Sequence, residues 1–333
     1  MRLQLGYIPL CDAAPLIAAH ELGFARAEGL DLDLTAEPSW ATLRDRLALG
    51  HLDGAHMLAP LALASRLGLS GPPSDLIVPM QLSVNGNAIT LSRSLWDAMA
   101  PDSEAPVVIA RAFARVAEER RAAGRPLTLG TVHPFSCHSY QVRLFAEAGG
   151  LDPAALRIVV VPPQYCVETL ARGLVDGFCA GAPWNDVAAA AGHGRIAVPG
   201  SALTPDAPEK VLAVSERLDG AILPLVRAVA RAGRWCADPE NRTELIQRLG
   251  HRSYLDLDAA IVGRALPVGS PEQPVAGAPL EFGAAIQEPR LADARWLLAQ
   301  MQAARQIADR KAWEEAIPAA YRPDLYRAAA AGP

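Results

Sequence analysis

Lysine is almost missing from this chain: of its 31 basic residues only Lys210 and Lys311 are lysine, and the other 29 are arginine. In an arginine-dominated sequence each surviving lysine carries information, because a compact ammonium and a planar guanidinium do different jobs. Paired cysteines are missing too. The five present, Cys11, Cys137, Cys166, Cys179 and Cys236, are odd in number and widely spaced, with no CxxC among them. That pattern excludes a disulfide framework and a structural zinc site. No apolar run approaches the roughly 18 to 20 residues of a membrane-spanning helix. There is no glycine-rich nucleotide fingerprint, no GxSxG and no carboxylate cluster at metal-ligand spacing, so neither cofactor nor metal is expected. The formal net charge of -5 at pH 7 gives no electrostatic footprint for nucleic acid or an anionic membrane. An anionic ligand would have to be caught by a local site. The opening residues, Met1 to Leu10, read as a folded strand without a basic, apolar and cleavage-site series, and from this the chain as given is expected to act in the cytoplasm.

What is present is a repeated alternation of strand and helix over 333 residues with 51% hydrophobic content, enough for two modest cores. The pattern predicts strands at 2–9, 31–35, 54–58, 75–84 and 87–91, with helices at 13–22, 40–49 and 60–67 between the earlier ones. Asn85-Gly86 is a turn signal between two strands. A charged amphipathic helix is predicted over 107–123. A second alternating block follows: strands at 127–132, 157–161, 177–180 and 195–198, and helices at 136–149, 166–174 and 184–191. The run 157–161 reads as a buried strand. The apolar run from Lys210 to Val214 reads as a crossing back to the first block, and mainly helical segments follow. The expected fold is α/β and two-lobed, with 1–98 plus 210–333 forming one lobe and 99–209 the other.

In open α/β sheets, ligands bind beyond the carboxyl ends of the strands. Those ends are 9–12, 38–40, 55–58, 85–87, 132–138, 179–185 and 206–210. At the same places the sequence resembles the nitrate and bicarbonate binding proteins of ABC transporters (NrtA/CmpA-like), and more closely the NasS-type cytoplasmic nitrate/nitrite sensors. The stretches that carry the resemblance are LGYIPLCDAAPLIAAHELGF (5–24), EGLDLDL (28–34), SWATLRDRLALGHLDGAHMLAP (39–60), NGNAITLS (85–92), HPFSCHSYQVR (133–143), VDGFCAGAPWN (175–185) and PEKVLAV (208–214). The resemblance implies a periplasmic-binding-protein-like (type II) fold with a hinge and an interlobe cleft. It implies a non-catalytic protein that binds nitrate or nitrite, with an ANTAR-type, NasT-like RNA-binding antiterminator as partner. The transport-receptor role is the alternative. An enzyme of the thiamine-pyrimidine type on the same scaffold would need a cysteine-rich and histidine constellation that is absent.

The resemblance also assigns residues. Trp40 matches the family's pocket tryptophan, Asn87 stands where an amide is expected, His138 matches the pocket histidine and Lys210 the pocket lysine. Where the family usually reads Gly-Glu-Pro-Trp-Asn, this chain has Gly181-Ala182-Pro183-Trp184-Asn185, which removes a carboxylate and speaks against a calcium-assisted bicarbonate site. The residue types themselves suit a planar monovalent oxyanion, which needs directed donors, a compensating positive charge and exclusion of water. Each also has an ordinary reading. Trp40 can pack a core, Asn87 can serve a turn, Lys210 can sit on the surface beside Glu209, and His138 can simply begin a helix. His56 lines the cleft floor or is a hydrogen-bonded core histidine. Pro9, Asp12, Ser136, Cys137, Gly181 and Trp184 are candidate cleft-lining positions, with the loop 9–13 expected to offer backbone amides. A Cys137-His138 neighbour pair does not make a catalytic dyad.

Overall fold

A computed structural model describes residues 1–266 and 280–332. The first sheet contains β1 (Arg2–Tyr7), β2 (Asp31–Ala36), β3 (Gly54–Leu58) and β4 (Leu76–Val84), and the second begins with β5 (Asn87–Ser92). The second continues with β6 (Thr128–Thr131), β7 (Arg157–Val160), β8 (Gly177–Gly181) and β9 (Gly194–Pro199), and β10 (Pro208–Ser215) returns to the first. The strand orders are β2-β1-β3-β10-β4 and β7-β6-β8-β5-β9. In each sheet the early strands are parallel, and the strand arriving from the other sheet is antiparallel: β10 against β3 and β4, β5 against β8 and β9.

Local chemistry explains the main boundaries. Ser39 caps the helix Trp40–Ala48 by accepting the Thr42 amide, and Gly50 beyond its end adopts a φ of 76° that a β-carbon would disfavour. Ser136 caps the helix Cys137–Ala148 in the same way, through the Ser139 amide. Alternating Leu3, Leu5 and Tyr7 bury one face of β1 against the helices Ala14–Glu21 and Ile222–Ala237. A second core, around Trp40, Leu58, Tyr140 and Phe178, draws on both sheets. Burial there is what joins the two halves, since apolar area removed from water contributes about 25 cal/mol per Å². Among the described residues no helix is long and apolar enough to cross a membrane.

Two expectations need correction. The chain leaves the first sheet at Asn85-Gly86, not at 98–99: β5 pairs with β8 and β9, so 87–98 lie with the second lobe. The crossing exploits two successive left-handed residues, Asn85 at φ 60° and Gly86 at φ 85°, and the return passes Asp206 at φ 54°. The Asn85 amide donates to the Ala207 carbonyl at 3.4 Å, which ties the two crossings side by side. The strand at 157–160 is not buried. As β7 it forms an edge of the second sheet, and Ile158 and Val160 are exposed. An apolar run does not by itself distinguish an edge strand from a central one.

Candidate functional site

Between the two sheets lies a cluster of buried polar side chains supplied by β3, β5, β10, the loop after β1 and the helices that start at Trp40 and Cys137. Lys210 is at its centre. This lysine is completely buried, while Lys311 is exposed. Its Nζ lies 2.9 Å from Oδ2 of Asp12 and 3.5 Å from Oε2 of Glu209. Burial alone would lower the ammonium's pKa, but the two carboxylates outweigh it and hold Lys210 above the usual lysine value. Asp12 is likewise buried. Desolvation opposes its charge, yet Lys210 and His56 together bring its pKa down to about 2. Glu209 meets the opposite balance, for desolvation prevails over Lys210 and the Asn87 amide and lifts it to about 7.

His56 Nε2 is 2.8 Å from Oδ1 of Asp12, and burial keeps its imidazole on the neutral side of its ordinary value. A neutral ring donating from Nε2 to the carboxylate satisfies both partners. His138 is pushed well below the ordinary histidine range by burial and then by the charge of Lys210, so it too is neutral. The indole ring of Trp40 stacks obliquely on His56 at 5.5 Å between centroids, and Lys210 Nζ stands 5.9 Å from its centre. Asn87 donates from Nδ2 to Oε1 of Gln141 at 3.1 Å, and Gln141 donates to Thr204 at 2.9 Å and to Glu209 at 3.4 Å.

Several atoms in this cluster are buried without a hydrogen-bond partner: Trp40 Nε1, both ring nitrogens of His138, Nδ1 of His56 and Oδ1 of Asn87. Leaving a buried polar group unpaired costs about 1 to 3 kcal/mol, so such atoms are normally rare. Here Trp40 and the two histidines all lie around one lysine. An ammonium has three N–H groups; Asp12 and Glu209 take two, and the third remains for a ligand. Gly181 opens space beside them. A β-carbon on it would make ordinary contacts at 3.4 Å with Asp12 Oδ2 and 3.6 Å with Asn87 Oδ1. The arrangement can therefore present an indole N–H, an imidazole and an ammonium to a small acceptor while keeping water out.

Trp40, His56, Asn87, His138 and Lys210 thus come together, with Asp12 and Gly181 beside them. The other candidates are used differently. Trp184 donates its indole N–H to the Pro9 carbonyl at 3.2 Å, so both residues latch one lobe to the other. The Cys11 amide reinforces that latch by donating to the Ala182 carbonyl at 2.9 Å. Of the loop 9–13, whose amides are expected to face the ligand, the Cys11 and Ala13 amides are spent on the Ala182 and Leu10 carbonyls, and the Asp12 side chain faces Lys210 and His56. Ser136 is a helix cap whose hydroxyl also donates to the His133 carbonyl at 2.5 Å. Cys137 donates its thiol to the Pro208 carbonyl at 3.4 Å, and burial pushes its pKa far up, which removes it as a nucleophile.

Sequence reasoning missed Glu209 and Gln141, and with them Ser83, which faces Lys210 in the register of β4 and β10 and whose hydroxyl is unpartnered. Signals existed for two of them. Glu209 is a second charge beside Lys210 at the start of a strand whose next residues are apolar, and Gln141 lies three residues after His138 on one helix face. Among the described residues no group of three or more histidine, cysteine or carboxylate side chains has a metal-holding geometry.

Comparison with known proteins adds to this geometry. Residues 1–250 match the model of the NMT1-like family. The nitrate import ATP-binding protein NrtC of Synechocystis sp. is 32% identical over 98% of this chain and 49% of its own length. The nitrate/nitrite binding protein NrtA of the same organism is 32% identical over 75% of this chain and 57% of its length. The chain therefore spans about half the length of the curated relatives it matches. The crystal structure of the periplasmic nitrate-binding protein NrtA from Synechocystis PCC 6803 superposes with a TM-score of 0.87 at 27% identity, covering 99% of this chain and 88% of that one.

Proposed function

Because the chain belongs to the NMT1-like family and, within it, to the NrtA/CmpA-like group, we propose that its interlobe cluster binds a small planar oxyanion, nitrate or nitrite, without catalysis. The observation that carries this reading is the set of buried, unpartnered polar atoms on Trp40 and His138 around the Lys210 ammonium. A planar anion accepts from all of them at once and offsets the cost of their burial. The setting best supported is the substrate-binding component of an ABC importer, as the names of the relatives indicate for those proteins. In that role, closure of the two lobes traps the anion, and the Trp184–Pro9 latch holds the closed state. Titration calorimetry with nitrate, nitrite and bicarbonate tests the reading. Nitrate or nitrite binds the wild type and leaves Lys210→Ala with no detectable heat; an unaffected Lys210→Ala variant contradicts it.

A second reading is a cytoplasmic sensor that controls an ANTAR-type, NasT-like antiterminator. One observation favours it: all five cysteines are free and buried, which suits a reducing compartment. The anion would act by population shift, favouring the closed state through its differential affinity for it. A pull-down with the antiterminator separates the two settings. Release by saturating nitrate supports the sensor, and capture that nitrate leaves unchanged counts against it.

A further inference from the structure

We propose that this site takes up a proton together with its anion, and that the Glu209 carboxyl is the group that receives it, so that Glu209 couples anion affinity to pH. The inference rests on the oxyanion reading above and deepens it.

The argument begins with a charge count in a buried volume. Asp12 and Lys210 pair at 2.9 Å, one negative and one positive, and both imidazoles are neutral. Those groups sum to zero. A monovalent anion at the remaining N–H of Lys210 brings the sum to -1, and an ionised Glu209 would bring it to -2, with every one of these side chains buried. Two like charges sharing one lysine out of water repel strongly, and a titratable group that can become neutral does so.

Glu209 is that group by elimination as well as by position. It stands 3.5 Å from the same ammonium that would hold the anion. The groups that act on it are Asp12 from the loop after β1, Lys210 beside it, Asn87 from β5, Cys179 from β8, and Cys137 and Gln141 from the helix Cys137–Ala148; the two histidines of the cluster, His56 and His138, lie around the same lysine. Asp12 is committed to two donors, Lys210 and His56, and stays ionised. The two thiols are already protonated, since burial raises both well above the ordinary value. Without a ligand, Glu209 is itself poised near neutrality, and a second negative charge beside it favours its protonated form further. His138 is the competing acceptor, and the test discriminates against it.

The linkage has a definite sign. The protonated form of Glu209 binds the anion and the ionised form opposes it. Affinity is therefore constant at acid pH and falls by about tenfold per pH unit above about 7.

Nitrate titration calorimetry in pairs of buffers of different ionisation enthalpy, at pH values from about 5.5 to about 8.5, reads the coupled proton directly. We expect negligible uptake at the acid end and close to one proton per nitrate at the alkaline end. In Glu209→Gln the uptake disappears, and at about pH 8.5 nitrate binds at least tenfold more tightly than to the wild type. Infrared difference spectra of the wild type give the same answer without a variant, through a protonated-carboxyl band that appears on nitrate binding at alkaline pH. Nitrate binding without proton uptake overturns this proposal and leaves the oxyanion reading standing. Uptake that persists in Glu209→Gln and vanishes in His138→Gln also overturns it, by assigning the proton to the imidazole. Absence of nitrate binding at every pH overturns both.

Discussion

The ammonium of Lys210 lies 2.9 Å from a carboxylate oxygen of Asp12, and neither side chain reaches solvent. The site's one cation is thus already neutralised before any anion arrives. In the proposed reading, attraction for an anion comes from what the pair leaves over: one ammonium N–H and the unpartnered donors around it.

Asp12→Asn keeps the shape of the contact and removes the charge. Anion affinity should rise, on the order of tenfold or more, because one like charge leaves the buried cluster. Stability should fall by about 3 kcal/mol, since Lys210 and His56 lose their ionised partner. Calorimetry and thermal unfolding on the same sample check both signs. Weaker anion binding would mean that Asp12 itself contacts the ligand.

Trp40→Phe deletes an indole N–H that has no partner in the protein and preserves most of the ring. Stability should stay within about 1 kcal/mol of wild type, because relief of an unsatisfied donor offsets the lost volume. Affinity should drop by about tenfold to a hundredfold, the equivalent of one hydrogen bond to a charged ligand. A large loss of stability with unchanged affinity would make Trp40 a packing residue.

Gly181→Ala places a methyl group 3.4 Å from Asp12 Oδ2 and 3.6 Å from Asn87 Oδ1, contacts the fold tolerates. The expected result is a normal melting temperature with nitrate binding abolished. Retained binding would put the ligand away from this wall.

Stability without ligand should depend on pH through Glu209. Its pKa is about 7 when folded, above the ordinary carboxylate value of 4.5 that the unfolded chain restores. The stabilising contribution of its neutral form is complete below the unfolded value and is lost as pH rises through about 7, by about 3 kcal/mol in total. Asp12, held to about 2, behaves in reverse: its contribution is present above the ordinary value of 3.8 and disappears as pH falls through about 2. Denaturant unfolding at about pH 5.5 and about pH 8.5 should show the loss, and Glu209→Gln should flatten it. A profile that Glu209→Gln leaves unchanged would assign the titration elsewhere.

Much of this was legible in the sequence. The strand-helix alternation located β3 to the residue and the others nearly so, because apolar periodicity and glycine stops are local signals. Strand ends marked the neighbourhood and the rarity of lysine drew attention to Lys210, but it was the resemblance to the nitrate and bicarbonate binding proteins that assigned Trp40, Asn87, His138 and Lys210 to one pocket, with His56 added from its strand end. The partners of those residues were not legible. Nothing near Asp12 records that its carboxylate will meet a strand almost two hundred residues further along the chain, and Glu209 beside Lys210 reads as an ordinary surface pair. Pro9, Ser136 and Trp184 were found at the correct end of the sheets, but backbone groups that only the fold brings near them take up their polar atoms. The crossing at Asn85-Gly86 read as a simple turn, since a hairpin and a passage between sheets share the same left-handed residues.

A crystal structure of the protein with saturating nitrate tests the central claim most directly. The account predicts planar density within hydrogen-bonding distance of Trp40 Nε1, a ring nitrogen of His138 and the Lys210 ammonium, with the Asp12–Lys210 pair intact. Density for the anion outside the interlobe cluster, with those donors still unpartnered, would contradict it.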